Sequence, residues 1–305
     1  MMTSLCKSFY QFILAQGILG GISNGMTYTP AVAAAGQYFH RRRPLALSIV
    51  MSGSSLGGIV YSIMLNRLLH HTTAGFGWSV RAVGFVSLVL AVIACTTISA
   101  GAGKRRGSFL LLEPWKTKPY TVQVVGMFLI FWGLFIPFFF IPSYATTHRL
   151  PTDYSFYLIA IINGPSLFGR LMAGAVANHI GRFNTVILAG ACCAILIFCW
   201  LRTESKASIT VFTALFGFFS GAVIGLFTAT IAMLAPAPNK IGTYVGMALG
   251  VYGVAALTGP PIAGAMIAHY GNYVACTIFA GVTTLAGTAV MILARYSLGG
   301  RHLVA

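Results

Sequence analysis

Acidic side chains are nearly missing from this sequence. Among 305 residues only Glu113, Asp153 and Glu204 carry a carboxylate, against 19 Lys and Arg, for a formal net charge of +16. Charge of either sign is scarce at 7% of residues, where soluble domains average about 25%. A chain so poor in polar groups cannot cover a water-facing surface. Its basic excess therefore marks no nucleic-acid binder, which would carry that charge on a soluble domain. The three carboxylates lie between apolar runs and leave no pair for acid–base chemistry within one. The seven histidines (His40, His70, His71, His148, His179, His269, His302) stand at run ends or between runs, without a metal-ligand spacing. The six cysteines form neither a Cys-x-x-Cys pair nor a disulfide framework. No catalytic residue, metal site or cofactor is expected, and the chain is read as no enzyme.

Hydrophobic residues, by contrast, make up 57% of the chain, with a mean hydropathy of +0.85. A helix needs about 20 apolar residues to cross about 30 Å of hydrocarbon. Nine such runs stand at 9–37, 45–67, 79–100, 121–144, 155–178, 183–201, 208–234, 242–268 and 273–294. The expected fold is an all-α membrane bundle of about nine transmembrane helices, with the lipid bilayer as its solvent. The basic residues set its orientation, because cytoplasmic loops retain Lys and Arg. Alternating run ends hold Arg41, Arg42, Arg43, Lys104, Arg105, Arg106, Lys116, Lys118, Arg182, Lys240, Arg295 and Arg301 on one side. The other side holds only Lys7, Arg67, Arg81, Arg149, Arg202 and Lys206. The richer side is read as cytoplasmic. Residues 1–100 then form a partial amino-terminal half of three helices, 101–120 a cytoplasmic central loop, 121–295 a six-helix carboxy-terminal half, and 296–305 a cytoplasmic tail.

Glycine spacing repeats across the two halves. Gly17, Gly21 and Gly25 lie four apart in the first run, and Gly217, Gly221 and Gly225 in the seventh. The following runs add Gly53 with Gly57, and Gly246 with Gly250. Small residues at that spacing leave a helix face on which another backbone can pack closely. Both triplet-bearing runs cross in the same sense, so the repeat is parallel, a plan that transporters use. Six helices follow the central loop and three precede it. The amino-terminal half therefore reads as lacking its first three helices.

One charge falls inside a run. Arg170 is eight residues before Asn178 at the cytoplasmic end, about 12 Å deep at about 1.5 Å per residue. A charge at that depth faces a bundle interior or an aqueous path and marks a candidate site; the alternative is a structural arginine paired with backbone carbonyls. Other polar or aromatic groups able to line a path are Asn24, Tyr28, Asn163, Ser166, Thr228 and Tyr252, each equally able to bond a neighbouring helix. Pro30, Pro137, Pro142, Pro165, Pro260 and Pro261 would kink or end helices.

Gly174-x3-Asn178-x2-Gly181-Arg182 resembles the cytoplasmic loop motif of the major facilitator superfamily, with Asn178 where Asp usually stands; it is read as a gating and packing element. "YFHRRRPLALSIVMSGSSLGG", "GFGW" at 75–78 and "TGPPIAG" at 258–264 resemble the monocarboxylate-porter branch of that superfamily, particularly its fungal members. The residues that carry this likeness are Tyr38, Phe39, Arg42, Arg43, Leu45, Ala46, Gly53, Ser54 and Gly57. The resemblance implies secondary transport of a small organic solute, monocarboxylate-like and anionic, by alternating access between two helical halves at the plasma membrane. It also places the branch's intramembrane arginine at Arg170, with Ser166 where animal members carry Asp. Proton coupling, which the resemblance implies for part of the branch, finds no carboxylate or histidine at depth here. The rival reading is a truncated, transport-inactive fragment of such a transporter.

Overall fold

The computed structural model describes residues 1–39, 43–70, 75–98, 111–237 and 240–298. Arg41, Arg42, Lys104, Arg105, Arg106 and Arg301 of the basic bias, with His40, His71 and His302, lie outside the described residues. Among the described residues every regular element is helical. After a short 3-10 turn, Met2–Leu5, come α1 (Phe9–Phe12), a π-helical stretch Ile13–Leu19 and α2 (Gly20–Tyr38) without a break. Then follow α3 (Arg43–His70), α4 (Gly75–Thr97), α5 (Lys118–Thr147), α6 (Thr152–Ile180), α7 (Arg182–Trp200), α8 (Lys206–Leu234), α9 (Ile241–Tyr270) and α10 (Val274–Ser297). Eight described helices, α3 to α10, are each long and apolar enough to cross a membrane. The continuous α1–α2 run, expected from the sequence as a ninth crossing, is assembled from three helical pieces and is not among those eight.

Local chemistry sets the helix ends. At the start of α8 the Ser205 hydroxyl accepts the Ser208 N–H at 3.2 Å, while the Ser205 N–H donates to the Ser208 hydroxyl at 3.0 Å. That reciprocal cap satisfies donors a helix start leaves free. Gly181 after α6 and Gly271 after α9 have φ of 89° and 66°, where a side chain would strain the backbone. The six prolines end nothing: Pro30, Pro137, Pro142, Pro165, Pro260 and Pro261 all lie inside helices.

Close contacts fix the relative helix directions. A Cβ built on Gly133 of α5 would meet the Ala280 carbonyl of α10 at 2.2 Å, and one on Gly126 would meet Met291 at 3.0 Å. Rising numbers on one helix meet falling numbers on the other, so α5 and α10 are antiparallel. By the same register α3 and α6 are antiparallel and α6 and α8 parallel, as helices that each cross once must be. The most apolar window of α8 is 61% buried and that of α4 is 0%, so α8 lies at the centre and α4 on the rim.

Aromatic clusters tie the two ends of the α5–α10 group. At one end the Tyr144 hydroxyl donates to the Thr203 carbonyl at 2.8 Å, with its ring against Trp200 and Tyr273. At the other, Tyr120 lies edge-on to Trp115 and Tyr244 and donates to the Tyr244 carbonyl at 2.9 Å. Beside it Glu113 and Lys240 form an exposed ion pair at 2.9 Å, whose hydrogen bond and charge raise the Lys240 pKa.

Candidate solute site on the α3–α6 seam

Three helices meet where small residues line their shared faces. On α8, a Cβ at Gly217 would lie 2.2 Å from the Ile162 carbonyl oxygen, and one at Gly221 would lie 2.4 Å from that of Ser166. At Gly225 it would lie 3.1 Å from the Arg170 Cα. These contacts step by four residues along both chains, so the two backbones touch along a full stripe. An adjoining face of α6 receives α3: a Cβ at Gly174 would meet the Ser48 Cβ at 2.7 Å, and one at Gly58 would meet the Asn163 amide at 2.6 Å. Ser48 donates to the Gly225 carbonyl at 3.2 Å and Ser55 to the Ser166 hydroxyl at 3.3 Å.

Arg170 sits in the middle of this seam, 4% exposed. Its Nη1 donates to the Met51 carbonyl and to the Ser54 hydroxyl, both on α3. Its Nε is buried without a hydrogen-bond partner. The one ion pair among the described residues joins Lys240 to Glu113, so no carboxylate in them balances the Arg170 charge. A guanidinium carries five N–H donors and no acceptor. Two go to α3, and a buried charged donor left unpaired costs free energy. Chemically, the arrangement offers a fixed cation with spare N–H groups to an anion.

The predicted path residues separate into groups. Ser166, Asn163 and Arg170 share the α6 face turned to α3, with the Asn163 amide bonded back to the Ile159 carbonyl at 2.8 Å. Tyr28 of α2 joins them through Met51, its hydroxyl donating to the sulfur at 2.9 Å. Tyr252 belongs elsewhere: it donates to Gln123 at 3.2 Å, and Gln123 donates to Thr230 at 3.0 Å, a buried link between α9, α5 and α8. Thr228 is buried with its hydroxyl unpartnered, and Asn24 is exposed on α2. In the loop motif Gly174 takes the α3 contact, Gly181 makes the positive-φ turn, Asn178 is exposed, and Arg182 donates to the Ala229 carbonyl of α8 at 3.4 Å.

The two copies of the glycine repeat pack differently. A Cβ at Gly21, Gly25, Gly53 or Gly250 would meet nothing within 4 Å. At Gly17 and Gly57 it would touch only a side chain of the same helix, and at Gly246 only the Thr29 methyl at 3.8 Å. Where α8 has α6 against its glycines, the matching face of the α1–α2 run is exposed.

Sequence reasoning passed over Met51, Gln123 and Thr230, and took Ser54 only as part of the family likeness. Ser48 and Ser55 are seven apart on α3, a helical spacing that marks one face; Gln123 is a lone amide in a long apolar run. A backbone carbonyl such as that of Met51 leaves no sequence signal.

A match to the Major Facilitator Superfamily covers residues 1–247. The chain belongs to that superfamily. It is 45% identical over 287 residues to the aspyridones efflux protein apdF of Emericella nidulans, spanning 94% of this chain but 59% of that protein's length. It is 40% identical to the MFS-type transporter pynF of Aspergillus niger, over 99% of this chain and 70% of the relative. The agnestins efflux protein AgnL12 of Paecilomyces divaricatus is 33% identical over 97% of this chain and 68% of its own length. Among solved structures, the superfamily transporter FucP in its outward conformation superposes with a TM-score of 0.63, covering 88% of this chain and 72% of FucP at 14% identity. That likeness carries the fold alone. The sequence-based all-α fold, the membrane crossing and the superfamily therefore stand, and this major facilitator chain is a multi-pass membrane protein.

Proposed function

We propose that this chain carries a small organic anion across a membrane by alternating access, with the solute's anionic group meeting Arg170. The observation that carries the reading is a buried guanidinium between α3 and α6, without a carboxylate partner among the described residues and with Nε unpaired. Two relatives bear efflux in their names, which supports export of a metabolite as the physiological direction and the plasma membrane as the place. The resemblance to monocarboxylate porters supports a carboxylate as the anionic group. Residues 1–100 and 121–295 would be the two moving bodies, with the α3–α6 seam between them and the Gly174–Arg182 turn at its cytoplasmic end.

The test uses the chain in proteoliposomes with radiolabelled benzoate as the probe. Uptake should exceed that of empty liposomes and vanish in Arg170→Gln. Arg170→Lys should retain about a tenth of the rate, because a point charge loses the planar fork that pairs with two oxygens. Parental uptake in Arg170→Gln would make the arginine structural and sink the anion reading. A chain that inserts and folds but takes up nothing supports the transport-inactive alternative.

A further inference from the structure

The five donors of Arg170 are unequally committed. Nη1 is held twice by α3, once by the Met51 carbonyl and once by the Ser54 hydroxyl, whereas Nε stays buried and unpartnered. A free arginine head rotates about its last side-chain bonds. Two bonds to one nitrogen from a neighbouring helix stop that rotation and fix where the remaining N–H groups point. Ser54 also differs from the rest of the seam in being exposed. It lies on the wall of an open groove of about 620 Å³ between α3 and α4, which is lined otherwise by Gly53, Gly57, Val60, Tyr61, Val86 and Leu90 among others. The groove is apolar apart from Ser54 and the Tyr61 hydroxyl, which accepts from Ser87 at 3.0 Å.

We infer that Ser54 is a positioning residue for anion binding. It holds the Arg170 Nη1 so that the Nε side of the fork is left for a carboxylate. The ligand class is then an organic carboxylate, recognised by the uncommitted N–H groups of one guanidinium. This inference rests on the reading of Arg170 as the anion site. It adds that a residue on α3 sets the affinity of a charge on α6, so solute binding and contact between the two helices share one guanidinium.

The chain in lipid nanodiscs, equilibrated with radiolabelled benzoate and with benzyl alcohol as the uncharged control, tests it. Ser54→Ala should weaken benzoate binding about tenfold, the effect of losing one of two bonds to a charged group, and Ser54→Thr, which restores a hydroxyl, should recover it. Benzyl alcohol binding should not change in either variant. A residue that only joins helices would behave differently, so seam closure is read separately. Ser55 and Ser166, whose hydroxyls are 3.3 Å apart, become a cysteine pair (Ser55→Cys with Ser166→Cys) in a chain whose six native cysteines are replaced. Its disulfide yield should be the same with Ser54 and with Ser54→Ala. A fall in yield parallel to the fall in binding makes Ser54 a seam residue and overturns the inference. Benzoate binding lost in Arg170→Gln but unchanged in Ser54→Ala overturns it too, while the Arg170 reading survives. Benzoate bound no better than benzyl alcohol by the unsubstituted chain sinks the anion site, and this inference with it.

Discussion

Alanine at Gly221 would place a methyl carbon 2.4 Å from the Ser166 carbonyl oxygen, 2.7 Å from its Cα and 2.7 Å from its hydroxyl. Carbon–oxygen contacts settle near about 3.3–3.6 Å, so α8 and α6 would have to separate by about 1 Å. Two of the three clashing atoms are on or next to the backbone and cannot rotate away. The separation also loosens the contacts at Gly217 and Gly225, because the glycines act on one rigid stripe. Overpacking of this kind costs about 1–3 kcal/mol, against a gain of about 1 kcal/mol from replacing a helical glycine by alanine. The net cost for Gly221→Ala is up to about 2 kcal/mol, and for Gly221→Leu it exceeds what the seam can absorb. Gly21→Ala and Gly25→Ala isolate the propensity effect, since nothing lies within 4 Å of either added carbon. In detergent, thermal unfolding followed by tryptophan fluorescence should show a lower midpoint for Gly221→Ala and an unchanged or higher one for the two controls. Gly221→Leu should run as aggregate on size exclusion. Equal midpoints for Gly221→Ala and Gly21→Ala would falsify the packing argument.

Two further predictions follow from particular contacts. Tyr252→Phe leaves the Gln123 carbonyl oxygen buried without its donor, which costs about 1–3 kcal/mol; Tyr252→Phe combined with Gln123→Leu should recover part of that stability, and a single variant as stable as the parent would mean the link contributes nothing. In a chain without its native cysteines, Arg202→Cys should react with an impermeant thiol reagent on intact cells and Lys116→Cys only after permeabilisation; the reverse pattern would invert the orientation.

How much of this was legible in the sequence depends on which physical signal each feature leaves. Crossing helices announce themselves by length and hydropathy: the runs at 121–144 and 208–234 lie inside α5 and α8, and that at 183–201 ends one residue beyond α7. Arg170 is visible as a lone charge in an apolar run. Its partners are not, because they depend on how α3 is set against α6: Ser54 is one serine among several on α3, and the Met51 contact is a carbonyl. Tyr252 shows the opposite failure. It looks from the sequence like a path residue, but Gln123, 129 positions away, takes its hydroxyl.

The glycine repeat carries the same lesson further. Spacing of four writes a flat face into a helix, and nothing in the spacing says what covers it. On α8 the cover is α6, close enough that Ile162, Ser166 and Arg170 each press on one glycine. That closeness does more than hold two helices together. Arg170 is packed from behind at Gly225 and held from the front by Met51 and Ser54, so its backbone and one end of its fork are both fixed. A side chain at Gly225 would push Arg170 toward α3 and alter how its free N–H groups are presented. The packing stripe and the candidate binding site are therefore one structure seen from two sides, and damage to the stripe should be felt first as a change in anion affinity.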